Sequence, residues 1–404
     1  KNIKITINIV TGLIKMTANF VTKKSVFLNF AHFFDHMFML IYATAVITIA
    51  LEFDNSYGQL VALATPSFIL FGGMALPFGW LGDRWGRHTL ITIFFIGIGI
   101  SSILTGLAND YWEIAFGLSA IGIFAAIYHP VGIPMLVQGV ERPGKILGLN
   151  GVFGNMGVAA APLIVGIIGT TASWRLAFIA PGILSIIFGI LFWKLVDKDT
   201  PNQNIAKTNS SGTELMLKGW RHVLLVIAVV TLIGGLIFNS TTIALPKLFE
   251  ERLSLISLKA WNFTFMASAV YAIASMAQIV AGFAVDKFSA KKLMMGLVGA
   301  QCIIFLFVSY SDGYILFWLS LVGMCFVFGQ IPIIDTILTR YVPDTHRGKV
   351  FSLKYLLNLG VGAMAIPMIA YFHDWGGGFT MLFQVLGHIH EDSRLLIEHH
   401  SLFH

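Results

Sequence analysis

Polar side chains stand inside long apolar runs of this sequence, and their types and spacing limit what they can do. Between Val26 and Ala50, Asn29, His32 and His36 recur at i, i+3 and i+7 and so share one helical face, with Asp35 beside it. A carboxylate beside imidazoles at low dielectric can bind and release a proton. The same set can equally be a fixed hydrogen-bond cluster near a helix end. Tyr128-His129-Pro130 interrupts a later apolar run. Proline removes a backbone donor, and such breaks survive in hydrocarbon where they face protein or a cavity. His129 is therefore either a site residue or a neighbour of a simple kink. Asn155 lies in Gly154-Asn155-Met156-Gly157, and Asn239, Gln278, Gln330, Asp335, Lys354 and Asn358 stand in apolar runs further on. Asp335 and Lys354 can pair. Alternatively Lys354, which shares a face with Asn358, can hold an anionic solute or snorkel to a surface. A charge near a bilayer centre costs roughly 2.5–3.5 kcal/mol on insertion scales, so each should face a cavity or a partner.

These residues do not form a catalytic set. HExxH, a nucleophile elbow and a phosphate loop are all absent from the sequence, so neither an enzyme nor a cofactor nor a resident metal is expected. Cys302 and Cys325 fall within apolar runs and read as small buried residues. With 56% hydrophobic residues and 11% charged, the chain is a polytopic membrane protein whose partner is the lipid bilayer. Strand-period alternation is lacking, which argues against a β-barrel. The net charge of +6 is spread over short loops, so nucleic acid is not a partner.

The elements that position the polar groups follow from hydropathy. About 20 apolar residues cross the hydrocarbon as a helix. Spans are expected at 26–50, 58–81, 89–108, 111–138, 147–170 and 174–196, then at 222–245, 260–284, 293–311, 314–339 and 351–372. The resulting division is a cytoplasmic N-terminal segment 1–25, a first bundle 26–196, a polar cytoplasmic linker 197–221, a second bundle 222–387 and an atypical polar tail 388–404. The first segment has no cleavable signal, and Met16 is a candidate start. The final segment, Phe379 to Gly387, is too short to cross a bilayer before it turns into His388-Ile389-His390-Glu391-Asp392. It reads as a truncated or frameshifted twelfth helix. A His-rich metal tail (His388, His390, His399, His400, His404) is the lesser reading. Loops on the N-terminal side hold Lys23, Lys24, Arg84, Arg87, Arg142, Lys145, Lys287, Lys291 and Lys292, among others, whereas the opposite loops hold Arg175, Lys247, Arg252 and Lys259. This bias places the N-terminus in the cytoplasm.

One connection carries more information than the rest. Gly79-Trp80-Leu81-Gly82-Asp83-Arg84-Trp85-Gly86-Arg87-His88 lies between the second and third spans, and Gly282 to Phe288, with Asp286 and Lys287, is a weaker copy in the second half. Arg142-Pro143-Gly144-Lys145 is likewise echoed by Arg347-Gly348-Lys349. Two like-oriented halves form a parallel repeat. Gly79, Leu81, Asp83, Arg84, Gly86 and Arg87 match the loop between helices 2 and 3 of the major facilitator superfamily, which the chain resembles. The resemblance implies an all-α fold of two six-helix bundles around a central cavity. It also implies a secondary transporter whose halves rock, with Gly79, Gly82, Asp83, Arg84, Gly86, Arg87, Asp286 and Lys287 at the cytoplasmic gate. A narrower resemblance, to the fosmidomycin-resistance branch, rests on His32-Phe33-Phe34-Asp35, Tyr128-His129-Pro130 and Gly154-Asn155-Met156-Gly157 with Pro162. Asp35 stands where that branch has Asn and His36 where it has Asp, so a proton role can belong to either. The arginine typical of proton antiporters is missing from the fourth span.

The combined expectation is a monomeric transporter in the cytoplasmic membrane of a prokaryote. It would export a small polar or anionic solute in exchange for protons. Asp35, His36 and His32 would couple the proton, and Asn29, His129, Asn155, Asn239, Gln278, Gln330, Asp335, Lys354 and Asn358 would line the path. The competing readings are an importer of an organic acid or nutrient, and a non-transporting or inactive relative.

Overall fold

The computed structural model describes residues 22–138, 144–169, 172–198, 220–253, 262–342 and 344–399. Most of the expected linker, the Arg142–Pro143 stretch, the side chains of Lys145, Arg347, Lys349 and His399, and the tail histidines His400 and His404 lie outside what is described.

The chain is helical throughout its described length. The first half comprises α1 (Lys23–Phe53), α2 (Tyr57–Gly73 continued by Ala75–Trp85), α3 (Arg87–Gly106), α4 (Tyr111–Val137), α5 (Gly144–Ile164, prolonged to Gly169) and α6 (Trp174–Leu195). The second comprises α7 (Trp220–Leu253), α8 (Asn262–Lys287), α9 (Ala290–Tyr310), α10 (Gly313–Tyr341), α11 (Asp344–Gly360 continued by Gly362–Asp374) and α12 (Gly378–His399). Among the described residues, ten helices are long and apolar enough to cross a membrane, or eleven with α2, which bends by 46°.

Local chemistry explains the boundaries. Thr22 and Ser25 form a reciprocal capping box that starts α1. Gly86, at φ 85°, takes a left-handed conformation that glycine adopts freely, and this separates α2 from α3. Small residues then bring helices together. A Cβ at Gly99 of α3 would stand 2.6 Å from the Gly182 carbonyl of α6, so that crossing closes only with glycine on both helices. Across the halves, a Cβ at Gly72 would lie 2.7 Å from Cα of Gly360, which brings α2 and α11 into backbone contact.

The last helix keeps a helical backbone through His399, past the end of its apolar stretch. Its apolar segment is short, as expected: Phe379, Leu382, Phe383 and Leu386 are buried, and α12 is not among the candidate spans. The next turn is held by polar contacts, with His390 buried and Arg394 bonded to Glu391 at 2.6 Å.

Candidate functional site

The most concentrated polar chemistry lies where α1, α4 and α5 meet. Helical spacing puts His32 and His36 one turn apart on α1, with Nε2 atoms 3.1 Å apart. Nδ1 of His32 donates to the Asn150 carbonyl of α5 at 2.8 Å. A carbonyl only accepts, so this bond fixes the tautomer and turns the Nε2 lone pair of His32 towards His36. The His32 ring packs against α5, where a Cβ at Gly154 would come within 2.6 Å of it. It also stacks on Tyr128 at 4.8 Å.

Pro130 shapes the α4 side. Residues Tyr128–Gly132 wind as a π-helical turn, the rearrangement that proline and helix breaks commonly cause. That turn buries His129 and points it at α1, where its Nε2 lies 3.3 Å from Oδ2 of Asp35. Asp35 is fully buried, yet neither of its oxygens and neither nitrogen of His129 has a hydrogen-bond partner. From the second half, the Tyr355 ring of α11 lies against His129 at 4.9 Å. Asn29 is joined to this group through Asn150, whose Nδ2 donates to the Asn29 Oδ1 at 2.9 Å. Asn150 also exchanges bonds with the Tyr128 hydroxyl at 2.8 and 3.0 Å. Asn150 and Tyr355 were not singled out from the sequence. Asn150 carries the same signal as Asn155, an amide in an apolar run, and was legible on that ground.

The second half treats its polar residues differently. Lys354 of α11 contacts Asp335 of α10 directly, and its side chain is 8% exposed. Nδ2 of Asn239 donates to the Gly235 carbonyl at 2.8 Å and reaches the Asn358 carbonyl at 3.4 Å. Gln330 turns into its own half, where Nε2 donates to Oε1 of Gln301 at 2.7 Å and lies 3.2 Å from Nε2 of His390. Gln278 faces the other half, its Oε1 3.6 Å from where a Cβ at Gly151 would be. Asn155 is buried on α5.

The two ends of the molecule contrast. At the motif end, Asp83 sits in the last turn of α2 with its side chain 75% exposed and 3.8 Å from Arg87. Arg84 lies over the Trp80 ring at 3.8 Å. Gly79 and Gly82 sit beside the α4 break: a Cβ at either would meet Pro130 at 3.4 Å or Val131 at 3.1 Å. Asp286 and Lys287 end α8 exposed. At the far end, Asp374 of α11 accepts from the Ser56 hydroxyl at 2.5 Å and the Gly58 amide at 3.2 Å, capping α2 from the other half. His373 donates from both ring nitrogens, to Asp374 at 2.7 Å and to Glu251 of α7 at 2.9 Å, which requires the imidazolium form. Lys247 adds an ion pair with Glu251 at 3.5 Å.

Comparison with known proteins identifies this architecture. The Major Facilitator Superfamily profile matches residues 28–367. The chain is 23% identical over 328 residues to a multidrug resistance protein, MdtG, of Proteus mirabilis, covering 78% of this chain and 79% of the relative. It is 21% identical to a Na(+), Li(+), K(+)/H(+) antiporter of Planococcus maritimus over 403 residues, covering 88% and 90%. A nitrite extrusion protein of Bacillus subtilis is 22% identical, with 68% of each covered. Among solved structures, a D-xylose–proton symporter superposes with a TM-score of 0.73 at 16% identity, covering 93% of this chain and 95% of that one. An inward-facing bacterial homologue of the human lysosomal transporter Spinster gives 0.71 at 13% identity, covering 95% and 97%.

Proposed function

The chain belongs to the major facilitator superfamily, and on that premise we propose that it is a proton-coupled exporter of a small polar or anionic solute in a bacterial cytoplasmic membrane, with its N-terminus inside. The observation that carries the reading is the buried Asp35–His129 pair, 3.3 Å apart and without hydrogen-bond partners, packed against Tyr355 of the opposite half. A lone carboxylate enclosed at low dielectric is costly. A carboxylate and an imidazole that hold one proton between them are neutral overall, whichever atom carries it. Closing the halves over the pair therefore takes up a proton, and opening them to the other side lets water accept it. Each turn of the cycle moves one proton through Asp35 and His129, with His32 and His36 continuing the path along α1.

The bonded far end and the exposed motif end fit a state closed on one side of the cluster. On this reading Asp83, Arg84, Arg87, Asp286 and Lys287 serve the cytoplasmic gate. Lys354 is the anion-binding group: its partner Asp335 has a side chain 32% exposed, so an entering carboxylate or other anion competes for the ammonium. Asn155, Asn239, Gln278 and Asn358 line the path beside it. The resemblance to the fosmidomycin-resistance branch supports this, because its three short stretches supply His32, Asp35, Tyr128, His129 and Gly154, which meet in one place.

The test is susceptibility of an efflux-deficient bacterium expressing the chain, measured over fosmidomycin and a panel of anionic and cationic compounds with membrane expression verified. Resistance to anionic compounds that disappears in Asp35→Asn and Lys354→Met is the expected result. Improved growth on an anionic nutrient, without resistance, would replace export by import. Neither effect from a well-expressed chain would favour an inactive relative.

A further inference from the structure

The first-half cluster also has the geometry of a ligand shell. One imidazole nitrogen from each of His32, His36 and His129 lies within 4.8 Å of the other two. Tetrahedral bonds of about 2.0–2.1 Å from a metal to imidazole place neighbouring donor atoms roughly 3.3 Å apart. The Nε2 atoms of His32 and His36 are 3.1 Å apart, and His129 Nε2 is 3.3 Å from Asp35 Oδ2. Each pair thus already stands near the spacing of two ligands on one ion.

The surroundings point the same way. Histidines that bind metals commonly donate their second ring nitrogen to a carbonyl or carboxylate, which fixes the ring and directs the lone pair at the metal. Here Nδ1 of His32 donates to the Asn150 carbonyl and Nε2 faces the cluster. The ring is also wedged against Gly154. Asp35 adds a carboxylate charge beside the imidazoles, its Oδ2 3.3 Å from Nε2 of His129. Asp35 is 0% exposed and His129 5%, and all four of their polar atoms lack hydrogen-bond partners. A divalent cation would take one nitrogen of His129 and balance the carboxylate.

We propose that His32, His36 and His129, with Asp35 as charge partner, form a binding site for one divalent transition-metal ion of the Zn2+ class. Imidazole donors select this class over Mg2+ and Ca2+, which prefer all-oxygen shells. His36 takes the tautomer with its proton on Nδ1, leaving Nε2 for the ion. Asp35 offsets part of the charge of the ion.

The experiment uses the full chain, stripped of metal and held in lipid nanodiscs. It is titrated with ZnCl2 by calorimetry in two buffers of different ionisation enthalpy, and with CoCl2 by visible absorption. The expected result is one saturable site per chain and the intense absorption bands of tetrahedral Co2+. His36→Gln and His129→Gln should each weaken binding by more than the ~10–100-fold typical of losing an outer-sphere partner. His36 is half-buried and its glutamine variant keeps a polar group there, which makes it the variant best placed to fold. A chain with His388, His399, His400 and His404 changed to Gln should bind as the wild type does. Binding lost in that tail variant but kept in His36→Gln and His129→Gln would overturn the proposal. So would Zn2+ binding no tighter than Mg2+ binding. No transport is measured, so a negative result leaves the proton-coupling reading standing, and pH-independent transport by a metal-binding chain would sink that reading alone.

Discussion

Asp35 and His129 of the first half face each other at 3.3 Å with none of their polar atoms hydrogen bonded, whereas Asp335 and Lys354 of the second half are in direct contact. Gln330 extends the contrast, since its Nε2 bonds Gln301 and lies beside His390. A bonded group at low dielectric resists movement, since separation strands a partner. An unbonded one gains whenever a proton, ion or water reaches it. On the proposed function, the first half holds the groups that change state, and the second half holds groups that keep shape until a solute competes for them.

The largest stability effect should come from breaking the bonded pair. Lys354→Met should destabilise the chain by about 2 kcal/mol, less than the ~3–5 kcal/mol of a fully buried pair because Asp335 is partly exposed. Adding Asp335→Leu should restore most of the loss, as read by thermal unfolding in detergent. If the single variant unfolds like the wild type, the second half is not held by this pair. Asp374→Ala removes two cross-half bonds at the far end and should shift the balance between closed and open far ends by roughly 1–2 kcal/mol, about 5–30-fold. Distances between spin labels across that end would report it. Gln330→Leu should cost about 1 kcal/mol by stranding Gln301 and His390. Asp83→Asn should leave stability within about 0.5 kcal/mol of wild type, because its side chain is 75% exposed, yet slow transport. Normal transport by that variant would remove the motif from gating.

Hydropathy made most of the fold legible. Runs of apolar residues mark six spans before the linker and five after it, the Gly79–His88 connection is a local pattern, and the division into two six-helix bundles came from the resemblance that this connection carries. Periodicity also placed His32 beside His36, since both lie on one helix. It could not bring His129 to Asp35, because that contact depends on how α4 crosses α1 and on the π-helical turn at Pro130. The far-end bonds were illegible for a different reason. Ser56 and Asp374 occupy ordinary polar positions at span ends, where sequence carries no signal of a partner more than 300 residues away. The direction in which Gln330 turns was equally hidden, as was the helicity of α12 beyond Gly387, which rests on contacts such as His390 with Gln330.

The central claim is that closing the halves over Asp35 and His129 takes up a proton. It is tested most directly in proteoliposomes carrying the exported compound that the susceptibility panel identifies, by measuring export against an imposed pH gradient. Wild type should accumulate the compound against its gradient with one proton moved per molecule. Asp35→Asn, folded and at least as stable, should lose that accumulation by at least about tenfold, equal to ~1.4 kcal/mol, while still exchanging compound passively. Accumulation by Asp35→Asn equal to wild type, with the same proton stoichiometry, would contradict the account.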